Sequence, residues 1–184
     1  MLTVLDRDGV LNANRPDHVL TTEQWRWLPG ALDACRRLSE SSGGRIAVVT
    51  NQAAVGRGLL PPSGLAAIHR RMTEDLARAG VARPLVLHCP HRPEAYCWCR
   101  KPAPGMVHAA VAWFGVDAER TVVVGDHVSD LRAAQTAGCW GVHVRSGRGV
   151  APVSGGPRYL GSFPDLSAYA DTVEQRRTAH APRP

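Results

Sequence analysis

The chain opens MLTVLDRDG (Met1–Gly9), and this stretch decides the fold. Leu2, Thr3, Val4 and Leu5 form a short apolar, β-branched run, the pattern of a strand buried on both faces. The predicted strand, Leu2–Asp6, leads into two acids, Asp6 and Asp8, placed so that both side chains can point to one side of the strand end. Gly9 permits a tight turn immediately after them. Two carboxylates this close repel, which raises the proton affinity of one of them. One can then stay ionised as a nucleophile while the other carries a proton as a general acid.

Outward from this stretch, short apolar runs alternate with amphipathic ones. Strands are predicted at Arg45–Thr50, Pro84–His88, Thr121–Gly125 and Trp140–Val144, and helices at Gly30–Ser41, Pro62–Ala79, Pro104–Phe114 and Val128–Ala137. Leu65, Ile68, Met72 and Leu76 repeat at helical spacing and read as core, as do Val107, Val111 and Phe114; Gly80 and Gly138 read as helix stops. The fold class is α/β, a Rossmann-like parallel sheet flanked by helices. In such sheets, sites form beyond the carboxyl ends of the strands. The polar motifs fall there: DRDG after the first strand, TNQ (Thr50–Gln52) after the second, CPH (Cys89–His91) after the third and GDHVSD (Gly125–Asp130) after the fourth. The domain is expected to span 1–144. A Gly/Pro loop at 145–157, a short helix at 164–175 and a frayed basic tail at 176–184 follow it.

Composition bounds what such a domain does. The 184 residues are 44% hydrophobic and 21% charged, which excludes disorder for the bulk of the chain and suffices for one core without disulfides. No run approaches the ~18 apolar residues of a membrane span, and no basic-then-apolar leader opens the chain, so a cytoplasmic protein without membrane contact is expected. The formal charge is +6, and residues 145–184 carry six arginines against Asp165, Asp171 and Glu174, half of the excess. Without clustered basic and aromatic residues this does not point to nucleic acid; a basic site for a phosphorylated small molecule accounts for it. Lys101 is the one lysine among 22 basic residues, which marks a place where arginine will not serve.

Two metal sites are suggested by residue type. Asp126 and Asp130 join Asp6 in an oxygen-rich set suited to magnesium, with Lys101 as a compact charge for a phosphoryl oxygen and Thr50 and Asn51 as further donors. Cys89, His91, Cys97 and Cys99, spaced C-x-H-x5-C-x-C, are a tetrahedral zinc set, structural because no ligand position is left open. Cys35 and Cys139 read as plain buried residues.

Taken in order, these motifs resemble the haloacid dehalogenase (HAD) superfamily of aspartate-nucleophile phosphatases, over Leu2 to about Val144. The resemblance implies that Asp6 attacks phosphorus and that Asp8 protonates the leaving oxygen and then activates water. It also implies that Asp6, the Asp8 backbone carbonyl and Asp126 hold magnesium, with Asp130 supporting, while Thr50 and Lys101 hold the phosphoryl group. The intervals between Gly9, Thr50 and Arg100 are filled by predicted elements, so no cap domain is expected, and the zinc loop and the 12–27 loop must wall the pocket. CPHRPEAYCWCRKPAPGM (Cys89–Met106) resembles the heptose 1,7-bisphosphate 7-phosphatases and the histidinol-phosphate phosphatases, and TNQAAVGRGLL (Thr50–Leu60) resembles the former.

By that likeness Asn14, Arg15, Pro16, Asp17, Asn51, Gln52, Ala53, Arg100 and His127 stand where substrate is touched. The first four replace an Asp-His-Gly-Tyr-like tetrad, and His127 replaces a lysine. The resemblance implies a monomeric magnesium-dependent sugar phosphatase serving nucleotide-heptose synthesis, with a histidinol-phosphate phosphatase as its rival. A zinc-stabilised nucleic-acid-binding module would leave Asp6, Asp8, Asp126 and Lys101 without purpose.

Overall fold

The computed structural model describes residues 1–81, 83–148 and 156–179. Strands and helices alternate as β1 (Leu2–Leu5), α1 (Ala31–Ser42), β2 (Ile46–Asn51), α2 (Ala53–Gly56), α3 (Pro62–Arg78), β3 (Leu85–Cys89), α4 (Gly105–Phe114), β4 (Thr121–Gly125), α5 (Val128–Thr136), β5 (Trp140–Val144), β6 (Tyr159–Phe163) and α6 (Leu166–Ala179). All the strands are parallel, in the order β3-β2-β1-β4-β5-β6. This is the expected Rossmann-like sheet, and each strand and main helix read from the sequence lies within about a residue of its place.

Strand residues alternate between two cores. Leu5, Ile46, Val48, Val122 and Val124 pack on one face with apolar residues of α1, α3 and α6; Leu2, Val4, Ala47, Val49 and Val123 pack on the other with α4 and α5. In α3, which starts at Pro62, Leu65, Ile68, Met72 and Leu76 are all buried, as their spacing requires. Gly80 and Gly138 follow their helices with φ of +83° and +73°, the left-handed geometry of a helix stop.

The sheet does not end at Val144. Tyr159–Phe163 pairs with β5 through a register shift between Gly141 and His143, a strand the sequence reading left out. All five of its residues are only half-buried, so it lacks the apolar run that betrays a central strand; the partner edge makes it one. The last helix also runs further than expected, to Ala179, and takes in Arg176 and Arg177 of the tail. Arg37 on α1 ties this helix down by pairing with Asp171 and Glu174 and donating to Ser167 at 2.9 Å. The rest of the tail, 180–184, and 149–155 of the Gly/Pro loop lie outside the described residues. Among the described residues no helix is long and apolar enough to cross a membrane.

Strand order reverses between β1 and β4, from which the crossovers diverge to opposite sides. Such a switch point leaves a crevice above the carboxyl ends of its two strands.

Candidate active site

Asp6 and Asp126 stand directly after β1 and β4, at the mouth of that crevice. The Asp6 amide continues the ladder to the Val124 carbonyl at 2.9 Å. Gly9 follows with φ +86°, and a Cβ there would collide with the Asp126 carboxylate and the Gly147 backbone, so the turn needs glycine twice over. Oxygens of Asp6, Asp126 and Asp130 lie within 4.8 Å of one another. Asp126 and Asp130 are buried, while Asp6 keeps an edge open to the cleft.

Lys101, 3% exposed, fills the centre. Its Nζ is 2.8 Å from Asp6 and 2.6 Å from Asp130, and it donates to the Val49 carbonyl at 2.9 Å. Burial works against its charge, but Asp130 and Asp6 outweigh it and hold its pKa above the usual lysine range. Burial, with Asp130 and Asp126 adding to it, pushes the Asp6 carboxyl up to about 8 against the pull of Lys101; burial and Asp130 likewise raise Asp126. Three carboxylates share one ammonium, an excess of negative charge that fits a divalent cation.

Asp8 faces the other way. Its carboxylate meets the Arg7 guanidinium at 2.9 Å and accepts from Asn12 Nδ2 at 3.0 Å and Gln52 Nε2 at 2.9 Å. Burial alone would raise its pKa; Arg7 and these amides outweigh burial and hold it below the usual carboxylate range. Among the protein's own groups, Asp6 therefore has the higher proton affinity of the pair, and that of Asp8 is lowered. Spacing alone could not reveal this: Arg7 of the same motif lowers Asp8 most, and Asn12 and Gln52 add to it.

Asn51 was expected at the substrate, but its side chain is committed to the backbone of Lys101, donating to the carbonyl at 3.0 Å and accepting from the amide at 3.1 Å. Thr50 Oγ1 accepts from Gln52 Nε2 at 2.8 Å. His127 caps α5, its Nδ1 accepting from the Ser129 amide at 3.2 Å while its own amide donates to Asp130 at 3.1 Å. It borders the cleft as a helix cap.

The cleft, about 580 Å³, is bordered by Asp6, Asp8, Thr50, Lys101 and Asp126, together with Asn14, Arg15, Pro16, Asn51, Gln52, Ala53, Arg100 and His127. The expected site residues thus converge, with two exceptions. Asp130 sits behind Lys101, and Asp17 is exposed outside the cleft, paired with Arg15 at 2.8 Å. Sequence reasoning missed Arg7 and Arg148. The Arg148 amide donates to Asp126 at 2.9 Å from the loop after β5, so the strand-end rule, carried one strand further, would have found it.

Cys89 ends β3, and the loop beyond it returns His91, Cys97 and Cys99 to the same point. Cys89 Sγ lies 3.6 Å from His91 Nδ1 and 3.5 Å from Cys97 Sγ, and Cys99 Sγ lies 3.3 Å and 3.4 Å from the same two atoms. A tetrahedron with metal–sulfur bonds near 2.3 Å has edges of about 3.8 Å, so a modest expansion admits an ion. The group is compatible with zinc. Cys35 and Cys139 are buried elsewhere, and burial pushes the Cys35 thiol up to about 12.

An aspartate-tipped strand pair at a topological switch, with a buried lysine and, among the described residues, no cap domain over the cleft, defines a HAD-type hydrolase. The HAD-hydrolase-like family model matches residues 98–156. A D-glycero-β-D-manno-heptose-1,7-bisphosphate 7-phosphatase of Pseudomonas aeruginosa is 39% identical over 95% of this chain and 98% of its own length. A D-glycero-α-D-manno-heptose-1,7-bisphosphate 7-phosphatase of Mycobacterium tuberculosis is 40% identical over 82% and 83%. The crystal structure of the D,D-heptose 1,7-bisphosphate phosphatase of Bordetella bronchiseptica, complexed with magnesium and phosphate, superposes with a TM-score of 0.84 at 37% identity, covering 96% of this chain and 99% of that one. The chain belongs to the heptose-1,7-bisphosphate 7-phosphatase family of HAD phosphoric monoester hydrolases.

Proposed function

We propose that this chain hydrolyses the 7-phosphate of D-glycero-D-manno-heptose 1,7-bisphosphate. The observation that carries the reading is the Asp6–Asp126–Asp130–Lys101 cluster opening on a cleft rimmed by Arg15, Arg57, Arg100 and Arg148. The cluster suits the phosphoryl group to be transferred, and the arginines suit a second phosphate and sugar hydroxyls.

Asp6, whose open edge faces the cleft, attacks phosphorus and forms an aspartyl-phosphate as the bond to the C7 oxygen breaks. In its protonated form Asp8 gives that oxygen a proton and is left as the carboxylate that Arg7 stabilises, then takes a proton from the water that attacks the same phosphorus and frees Asp6. Thr50 and Lys101 hold the phosphoryl oxygens. Magnesium would be held by Asp6, the Asp8 carbonyl and Asp126, with Asp130 behind; when bound, it supplies the positive charge that keeps Asp6 ionised beside a phosphoryl dianion. Cys89, His91, Cys97 and Cys99 would hold a structural zinc that fixes the segment leading into Arg100 and Lys101.

The deciding experiment compares heptose 1,7-bisphosphate with histidinol phosphate, whose amine and imidazole the rim arginines repel. The bisphosphate should lead in kcat/KM by roughly a hundredfold, about 2.7 kcal/mol of transition-state binding, with phosphate released from carbon 7 by phosphorus NMR. A preference for histidinol phosphate, or release from carbon 1, overturns the substrate assignment.

A further inference from the structure

Arg7 lies between the two catalytic acids in sequence, yet it is 1% exposed, and beyond its pairing with Asp8 it has no assigned role. A guanidinium so buried needs partners, since an unpaired buried charge is strongly destabilising, and its two terminal nitrogens find them while Nε has none. Its Nη2 reaches both oxygens of Asp8, Oδ1 at 3.0 Å and Oδ2 at 2.9 Å. Asn12 adds a bond to Oδ1 and Gln52 one to Oδ2, so each carboxylate oxygen is held by donors from two directions.

On its far side Arg7 is itself braced. Nη1 lies 3.3 Å from His69 Nε2, and the guanidinium carbon stands 5.8 Å from the centre of the Trp25 ring. Burial, then the charge of Arg7, pushes His69 down to about 3, so this imidazole is neutral and can accept the Arg7 proton. The Arg7 amide donates to Asp6 Oδ1 at 2.7 Å, and its carbonyl accepts from Leu11 at 2.8 Å and Asn12 at 3.1 Å.

We propose that Arg7 is a positioning residue for the proton-transfer step: braced by His69 and Trp25, its guanidinium fixes the Asp8 carboxylate in the one orientation from which it serves the leaving-group oxygen. This rests on the reading of Asp8 as proton donor, and it gives DRDG a third working member. A guanidinium that merely filled the core would not need to grip both oxygens of the proton-handling acid. The brace also spans three parts of the chain, β1's end, the 12–27 loop and α3, so Asp8 is set by the fold around it.

The test uses leaving groups. The ester oxygen of heptose 1,7-bisphosphate needs a proton as it departs; p-nitrophenolate does not. Arg7→Met should lower kcat/KM on the sugar phosphate by roughly a hundredfold, and on p-nitrophenyl phosphate by less than about threefold. Asp8→Asn should show the same selectivity, and the double variant should be no worse than Asp8→Asn alone. Arg7→Lys, which restores a charge but not the fork, should recover part of the loss on the sugar phosphate only. If Arg7→Met does not fold, His69→Ala removes the brace alone and should give a smaller loss with the same selectivity. Equal losses on both esters in the Arg7 or His69 variants, with Asp8→Asn selective, make Arg7 purely structural and overturn the proposal. Equal losses in Asp8→Asn overturn the reading of Asp8 and the proposal with it.

Discussion

At Lys101 a single methylene chain places one ammonium between Asp6 and Asp130, in a space open only along its edge on the cleft. Arginine would bring a wider planar fork to the same point, where the Val49 carbonyl and two carboxylates already define the wall. Lys101→Arg should therefore lower kcat at least about a hundredfold while leaving the circular dichroism spectrum unchanged; activity within tenfold of wild type (~1.4 kcal/mol) would mean the position does not discriminate. The lone lysine was legible because residue type alone marked it. Its neighbours were not. The amide of Asn51 looked available to a ligand until the fold brought the Lys101 backbone against it, and Arg7 went unremarked because His69 and Trp25, which close around it, are distant in sequence. Which residues carry the chemistry can be read from strand-end motifs; what each side chain is bonded to depends on segments many residues distant.

Elements carry two further expectations. The zinc loop hangs from β3 by Cys89 and hands the chain back at Cys99, two residues before Lys101. Cys97→Ser or Cys99→Ser should lower zinc content toward zero by elemental analysis and reduce kcat, with the sheet and its cores still folded, because strands and helices supply most of both cores and Cys97 and Cys99 only pack against the margin of one. Full-strength zinc binding in both variants would disprove the ligand set. On α3, Asp75 accepts from Trp27 Nε1 at 2.9 Å and pairs with Arg71 and Arg78, tying the 12–27 loop to the helix. Burial alone would raise its pKa; Trp27 and the arginines outweigh that and hold it below the usual carboxylate range. Because the folded pKa lies below the unfolded one near 3.9, its contribution is present above about pH 4 and lost as pH falls through the folded value. Asp75→Asn should cost about 1–3 kcal/mol by denaturant melts at pH 7, and the gap to wild type should narrow below pH 4. A gap that stays constant with pH would exclude the ionised carboxylate as its source. Central strands and amphipathic helices announced themselves because both cores dictate their composition. Strand β6, half-buried at the sheet edge with Gly161 at φ +124°, has no such constraint and is visible only once β5 is in place.

For the molecule as a whole, the formal charge of +6 is less informative than where arginines meet the cleft. Arg15, Arg57, Arg100 and Arg148 border it, while its buried floor carries Asp6, Asp8 and Asp126 against Arg7 and Lys101. A substrate with one phosphate needs the floor alone; one with two phosphates also meets the rim. Exposed charges act over about 30 Å at 0.01 M salt and about 8 Å at 0.15 M, so the rim contribution is screened as salt rises, whereas contacts to the buried floor are screened far less. With magnesium held constant, kcat/KM for heptose 1,7-bisphosphate should fall roughly tenfold between those two chloride concentrations, and that for p-nitrophenyl phosphate about threefold. The steeper slope should flatten in Arg57→Gln, whose side chain borders the cleft at its exposed margin. Equal salt slopes for the two substrates would show that the rim arginines do not engage the second phosphate, and would move discrimination between esters to the floor of the cleft.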